Sequence, residues 1–153
     1  MHQRFLDFRR RLYDDHDLTA VDEYLHPEFI SHSPNIKPGI DAHREFVRTY
    51  GPPGPVDVRP AYKAFVQAFH AGFPDLKPVN QKILVEGDRL IAMTQWEGTH
   101  AGPFRGVPAT GKSLHFATSD LYRVSDHLLV EHWDVVDALD AWIALGLVWR
   151  AQA

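Results

Sequence analysis

The segment Ser113–Val136, SLHFATSDLYRVSDHLLVEHWDVV, decides the fold that the sequence predicts. Two runs rich in β-branched and aromatic residues flank the short polar turn at 125–127, a pattern typical of a β-hairpin. Because strand side chains alternate between two faces, one face of each run is mostly apolar. Each of these apolar faces carries one aspartate, Asp120 on the first strand and Asp134 on the second.

The two aspartates are candidates for proton-transfer chemistry. A carboxylate on an apolar face is costly unless it is paired, hydrated or protonated. An acid whose pKa is raised by such surroundings can transfer protons near neutral pH. A structural interpretation is equally open, in which Asp120 pairs with Arg123 or Lys112 at a sheet edge and Asp134 caps a turn.

Composition limits the class of protein. With 153 residues and 44% hydrophobic content, the chain is long enough for one globular domain with a substantial core, and we assign residues 1–153 to it. The formal net charge of -4 and the lack of a basic run argue against nucleic acid as a partner. The chain has no cysteine, which excludes disulfides and thiol catalysis.

Nothing in the sequence predicts membrane association. No apolar run approaches the roughly 20 residues of a membrane span. The N-terminal sequence MHQRFLDFRRR lacks the apolar region of a signal peptide. We therefore expect a cytoplasmic protein with no membrane partner.

The first half of the chain is predicted to form helices separated by loops. Apolar spacing predicts a helix from about residue 3 to 15, whose arginines, Arg9 among them, lie mostly on its wet face. Asp17 is a plausible N-cap for a second helix that ends at Pro27. Further helices are expected at 41–50 and from Ala61 to Gly72, separated by a proline-rich loop at 51–60.

The second half alternates with period two. Strands are expected at 79–85 and 90–99, followed by a glycine-rich connection at 101–111 and then the hairpin. Asp137 is a candidate cap for a last helix, which Gly146 ends. This order predicts an α+β domain, with a curved and mostly antiparallel sheet wrapped by the N-terminal helices around one pocket.

A series of motifs in one order carries a family resemblance. The motifs are Phe73-Pro74-Asp75-Leu76, Glu86-Gly87-Asp88-Arg89, Gly98-Thr99-His100, Gly102-Pro103-Phe104-Arg105-Gly106, Pro108-Ala109-Thr110-Gly111-Lys112, Tyr122-Arg123-Val124 and Glu131-His132-Trp133-Asp134. From about Leu18 to Leu147, the chain resembles the SnoaL-like polyketide cyclases of the NTF2-like (cystatin-like) superfamily. The resemblance implies a cone with one deep pocket, no cofactor or metal, and a homodimer or homotetramer formed through the sheet.

The resemblance also implies a reaction and the residues that perform it. Cyclases of this family close a ring by intramolecular aldol condensation of a hydrophobic carbonyl substrate, with a pocket aspartate as acid and base. Asp134 occupies that position here, and Asp120 and His132 are the further catalytic candidates. Other relatives isomerise steroids, hydroxylate polyketides or have no known activity, and fold alone does not choose among these activities.

The remaining site candidates are residues that would bind the substrate. An enolate needs a hydrogen-bond donor, which protonated Asp120, His132, Tyr122 or His32 could supply. Expected pocket residues are His32, Tyr122, Phe116, Trp96 and Thr118. Structural roles stay open for His132 as a sheet histidine and for His32 as a loop cap, and a structural role is favoured for His100.

Three functional hypotheses remain at this point. The first is a cofactor-independent acid/base enzyme, and it requires Asp120 and Asp134 to face a pocket. The second is a non-catalytic module that binds a small ligand in a pocket whose acids are all salt-bridged. The third is an oligomeric scaffold with a filled cone. We also expect the sheet exterior, around Leu129 and Trp133, to bury against a second copy of the chain.

A metal site has weak support in the sequence. The ten histidines include no His-x-x-x-His pair on one helix, and only His132 and Asp134 lie two apart on a strand.

Overall fold

A computed structural model describes residues 1–33 and 57–148. The helices in these ranges are α1 (His2–Tyr13), α2 (Ala20–Tyr24), α3 (Arg59–Gly72) and α4 (Leu139–Leu145). The strands are β1 (Leu25–Ser31), β2 (Lys77–Glu86), β3 (Arg89–Thr99), β4 (Ser113–Ser125) and β5 (Leu128–Asp137).

The strands form one curved sheet in the order β1-β5-β4-β3-β2. The β1–β5 pair is parallel, and the other neighbours are antiparallel. The helices and the inner face of this sheet share one hydrophobic core, to which α1 contributes Phe5, Phe8 and Leu12. This arrangement confirms the predicted α+β NTF2-like fold.

The hairpin of β4 and β5 has the predicted turn. Asp126 and His127 both have positive φ, at 47° and 65°. A two-residue type I′ turn requires positive φ at both of its residues. This turn is common in hairpins because its twist matches that of the flanking strands. The hairpin places Asp120 directly opposite Asp134 and Tyr122 opposite His132.

A bulge near the turn changes which side chains face inward. Arg123 pairs with Glu131 and Val124 pairs with Leu129, so Val130 has no partner in the register. An extra residue in one strand shifts the alternation of its side chains. Leu129 is therefore part of the buried core, and the expectation that it lies on the sheet exterior is wrong.

Two helix boundaries differ from the prediction. Helix α2 ends at Tyr24, and Pro27 lies inside β1 instead of ending the helix. Proline is tolerated there because β1 is an edge strand, where one side of the backbone has no strand partner. Asp17 accepts a backbone hydrogen bond of 2.9 Å from Thr19 in the turn before α2, but it is not the N-cap.

The remaining segment predictions have mixed outcomes. The expected helix at 41–50 and most of the loop at 51–60 lie outside the described residues, and the end of that loop forms the first turn of α3. Pro60 suits this position because the first helical N–H groups need no partner within the helix. Asp137 belongs to β5, and Ala138 is the N-cap of α4. Gly146 ends α4 with a φ of 79°, as predicted.

The connection between β3 and β4 docks its backbone on the end of α3. The N–H groups of Ala101 and Gly102 both donate to the Gly72 carbonyl at 3.0 Å. His100 is buried, and its Nδ1 lies 2.9 Å from the Thr110 hydroxyl, in keeping with the structural role favoured for it. Within the described residues, no helix is long and apolar enough to cross a membrane.

We expect Gly102→Ala to destabilise the protein by about 1–3 kcal/mol, the usual cost of overpacking. A Cβ at this position would lie 1.9 Å from the Ala71 carbonyl oxygen, so the connection would have to move away from α3. Urea denaturation measures the change in the free energy of unfolding. Ala101→Ser, at the exposed neighbouring position, is the control. Equal stability of the wild type and Gly102→Ala would contradict the close approach.

Candidate active site

The inner face of the sheet and the helices α1, α3 and α4 line a partly open cavity of about 400 Å³. This volume lies within the range of about 300–1,000 Å³ that is typical of small-molecule sites. One wall is aromatic and includes Phe65, Phe69, Trp96, Phe116 and Trp142. The filled cone expected of a pure scaffold is therefore not what the structure has.

Most of the residues expected in the pocket do line this cavity. They are Trp96, Phe116, Thr118, Asp120, Tyr122, His132 and Asp134. His32 is not brought into it: its Nε2 lies 3.0 Å from Glu131 Oε1, and its ring stacks on Trp133 at 4.7 Å between centroids. On either side of His32, Ser31 and Ser33 are buried, as the alternation of an extended segment requires.

Asp120 is held by three side chains. Arg9 donates to its Oδ2 at 2.9 Å, the Thr118 hydroxyl donates to the same oxygen at 2.8 Å, and His132 Nε2 lies 3.1 Å from Oδ1. The structural alternative of a paired Asp120 is present, but its cation is Arg9 and neither Arg123 nor Lys112. Arg123 pairs with Glu131 at 2.9 Å, and the Lys112 ammonium donates to the Ala144 carbonyl.

These contacts fix the charge of Asp120. Burial alone would raise the pKa of this carboxyl, but the charge of Arg9 and the hydrogen bonds from His132 and Thr118 lower it to about 2. Asp120 is thus ionised at neutral pH, which argues against the protonated form that was one of the alternatives for the hydrogen-bond donor. An ionised carboxylate only accepts hydrogen bonds, so His132 donates through Nε2–H. The His132 Nδ1 is buried and has no partner among the described residues.

Arg9 is the functional residue that the sequence analysis missed. The sequence predicts Arg9 on the wet face of α1, but it is only 4% exposed and lies over the rings of Phe5 and Trp96 at 5.1 Å each. Position 9 follows Phe5 by four residues and Phe8 by one, which places it within the apolar stripe of the helix. That position is the signal that could have identified Arg9 as buried.

Asp134 has different surroundings from Asp120. The Ser33 hydroxyl donates to its Oδ2 at 2.7 Å, and Ser33 is itself 2% exposed. The parallel pairing of β1 with β5, continued by the hydrogen bond from His32 N to the His132 carbonyl at 2.8 Å, places Ser33 there. Within residues 1–33 and 57–148, Asp134 Oδ1 is buried without a hydrogen-bond partner, and no ion pair involves Asp134.

Three side chains in the cavity could offer ligands to a metal ion. Asp120, His132 and Asp134 each have one ligand atom within 4.8 Å of the others. However, Asp120 already binds Arg9 and His132, and a cation would have to compete with the guanidinium at 2.9 Å. These donors do not fit a metal while Arg9 is in place, and the expectation of no metal stays a prediction.

The fold and the enclosed carboxylates define a class: an α+β cone with an apolar, acid-bearing pocket. The family model described as SnoaL-like polyketide cyclase matches residues 42–144, about two thirds of the chain. The chain belongs to the SnoaL-like polyketide cyclase family. No curated protein matches it.

Solved structures agree with this assignment. IdmH from Streptomyces antibioticus is 29% identical with a TM-score of 0.66, over 93% of this chain and 97% of that chain. TsrD from Streptomyces laurentii is 24% identical with a TM-score of 0.73, over 96% and 95%. A SnoaL-like polyketide cyclase from Agrobacterium tumefaciens is 17% identical with a TM-score of 0.65, over 96% and 97%. The last two show the fold alone.

The buried carboxylate of Asp120 makes stability depend on pH. Its pKa is about 2 in the folded protein, against about 3.9 in the unfolded chain. A lowered folded pKa gives a stabilisation that is complete above the unfolded pKa and is lost as the pH falls through the folded value. We expect this contribution to be about 2–3 kcal/mol at neutral pH and to disappear between about pH 4 and pH 2.

The matched variant for this measurement is Arg9→Met/Asp120→Asn, which removes both charges. Urea denaturation at pH 6 and pH 2.5 should show a smaller loss of stability on acidification in the double variant than in the wild type. Asp120→Asn alone should be less stable than the double variant because it leaves the Arg9 cation buried and unpaired. Equal pH dependence of the wild type and the double variant would contradict the assignment.

Proposed function

We propose that the protein is an acid/base enzyme of the polyketide cyclase type and that Asp134 is its base. Asp134 takes a proton from the carbon next to a carbonyl group of a hydrophobic substrate. The resulting enolate attacks a second carbonyl of the same molecule, and the new alkoxide is protonated in turn, which completes an intramolecular aldol reaction. These steps need only proton transfer and charge stabilisation.

The observation that carries this proposal is the difference between the two facing carboxylates. Asp120 has both oxygens engaged and a pKa of about 2, so it is a poor base. Asp134 lines the same cavity with one oxygen held by Ser33 and the other without a partner among the described residues. A carboxylate that is fixed at one oxygen and unengaged at the other can accept a proton without first losing an ion pair.

The charges of the cavity also favour this division of roles. The Arg9 cation cancels the charge of Asp120, so ionised Asp134 leaves the group with one negative charge. When Asp134 takes a proton, the negative charge moves to the enolate, and the total is unchanged. Walls such as Phe116 and Trp142 give the site an apolar side that suits a hydrophobic substrate.

The non-catalytic alternative has less support. A pure binding module was expected to have only salt-bridged acids in its pocket. Within the described part of the chain, Asp120 meets that description and Asp134 does not.

We expect Asp134→Asn to lower catalysed proton transfer by about 10²–10⁴-fold, because an amide cannot accept the carbon-bound proton. The probe is ethyl α-methylbenzoylacetate, an aryl β-keto ester with one α hydrogen. Exchange of that hydrogen in D₂O, followed by proton NMR, measures enolisation without knowledge of the natural substrate.

The control is Asp126→Asn, which makes the same change in the exposed β4–β5 turn and should leave the exchange rate as it is. Circular dichroism verifies that both variants are folded. A rate for Asp134→Asn equal to that of the wild type would exclude Asp134 as the base.

We further propose that the outer face of the sheet pairs with a second copy of the chain. Exposed apolar side chains run across it, with Leu84 at 66%, Met93 at 52% and Val135 at 72% exposure. Leu84 is opposite Ile91, which in turn is opposite Leu121, so the apolar surface is continuous over neighbouring strands. Contiguous exposed apolar surface of this kind is typical of protein–protein interfaces.

We expect Met93→Lys to convert the assembly to a monomer at micromolar concentration, because it replaces an exposed apolar side chain of this face by a second positive charge opposite Lys82. Light scattering coupled to size exclusion gives the mass directly. Val148→Lys makes the same change at an exposed apolar residue after α4 and should not alter the mass. A wild type that is already monomeric would refute the pairing.

A further inference from the structure

Three buried tyrosines face the cavity from three different elements. They are Tyr13 on α1, Tyr62 on α3 and Tyr122 on β4, with exposures of 9%, 5% and 1%. Buried hydroxyl groups usually find hydrogen-bond partners in their own protein. Here Tyr62 interacts with Tyr122, and Tyr13 has no side-chain hydrogen bond among the described residues.

All three phenols are donors at neutral pH. Burial raises the pKa of Tyr13, Tyr62 and Tyr122 above the ordinary value, so each keeps its proton. Even when Tyr62 and Tyr122 share one hydrogen bond, the pair retains one O–H that can donate elsewhere. The cavity therefore holds at least two O–H groups with no acceptor in the described protein.

The Arg9 guanidinium lies in the same wall, 5.8 Å from the centre of the Tyr13 ring. Its ion pair with Asp120 leaves these two side chains without net charge. The other candidate donors are engaged, because Asp120 is ionised and the Nε2–H of His132 is bound to it.

We propose that Tyr13, Tyr62 and Tyr122, grouped around Arg9, form an oxyanion wall that binds the enolate oxygen of the substrate. This inference rests on the proposed function, because an enolate forms only if a base in the cavity removes a proton. It specifies the ligand class as carbonyl compounds whose enolate oxygen accepts two or more hydrogen bonds. Donors that are already in position stabilise the charge as it develops.

The test compares an enolate with its neutral counterpart. The enolate is that of 2-phenylcyclohexane-1,3-dione, which is ionised at neutral pH, and the counterpart is 2-phenylcyclohexanone. Binding is measured by calorimetry in an Asp134→Asn background, which removes the negative charge that would repel the probe. We expect the enolate to bind at least about tenfold more tightly than the ketone, as hydrogen bonds to a charged group predict.

Phenylalanine variants test which tyrosine hydroxyl groups form the oxyanion wall. Tyr13→Phe and Tyr62→Phe should each weaken enolate binding by about tenfold and leave ketone binding nearly unchanged. Tyr24→Phe is the matched control, because Tyr24 donates to Asp7 and does not line this cavity. Thermal denaturation establishes that each variant is folded.

Equal affinity for enolate and ketone, or enolate binding unaffected by both phenylalanine variants, would overturn the inference. Such a result would not change the conclusion that the exchange experiment gives for Asp134. Conversely, a normal exchange rate in Asp134→Asn would refute the base while the binding preference could still hold. The two measurements therefore separate failure of the oxyanion wall from failure of the proposed reaction.

Discussion

Two carboxylates face each other across β4 and β5, and the Arg9 guanidinium lets one of them stay buried as an anion. Asp120 and Asp134 are cross-strand partners, and like charges in that position repel. The 2.9 Å ion pair with Arg9 neutralises Asp120 inside the core. Without a cation there, burial and mutual repulsion would favour a protonated carboxyl. The ion pair thus gives Asp120 a fixed charge and does not include Asp134.

The geometry around this ion pair comes from three separate parts of the fold. The antiparallel register aligns Asp120 with Asp134, helix α1 delivers Arg9, and the residues that follow β1 deliver Ser33. The hairpin presents several polar groups to the cavity, whereas α1 and the residues after β1 add Arg9 and Ser33. The charged side chains of this site lie on helices and strands, so they move less than they would on loops.

The sequence predicted the strands and the face on which each residue lies better than it predicted which side chains interact. Period-two alternation is a local property, so Asp120, Thr118 and Tyr122 could be placed on one face from the sequence. The partner of Asp120 is 111 residues away, and strand periodicity carries no information about such a contact. The prediction for His32 is wrong by one position of the strand alternation, so its side chain lies outside the cavity. The prediction for Leu129 is wrong because the bulge turns its side chain inward, and no feature of the sequence indicates the bulge.

The separation between Arg9 and Asp120 has a consequence for how the protein is made. Arg9 is synthesised 111 residues before Asp120, so its buried ion pair forms only after β4 has been made. We expect the final docking of α1 to follow formation of the C-terminal hairpin, because burying an unpaired guanidinium is costly. Until then, the apolar stripe of Phe5, Phe8 and Leu12 lacks its complete cover, and apolar surface exposed at that stage favours association between partly folded chains.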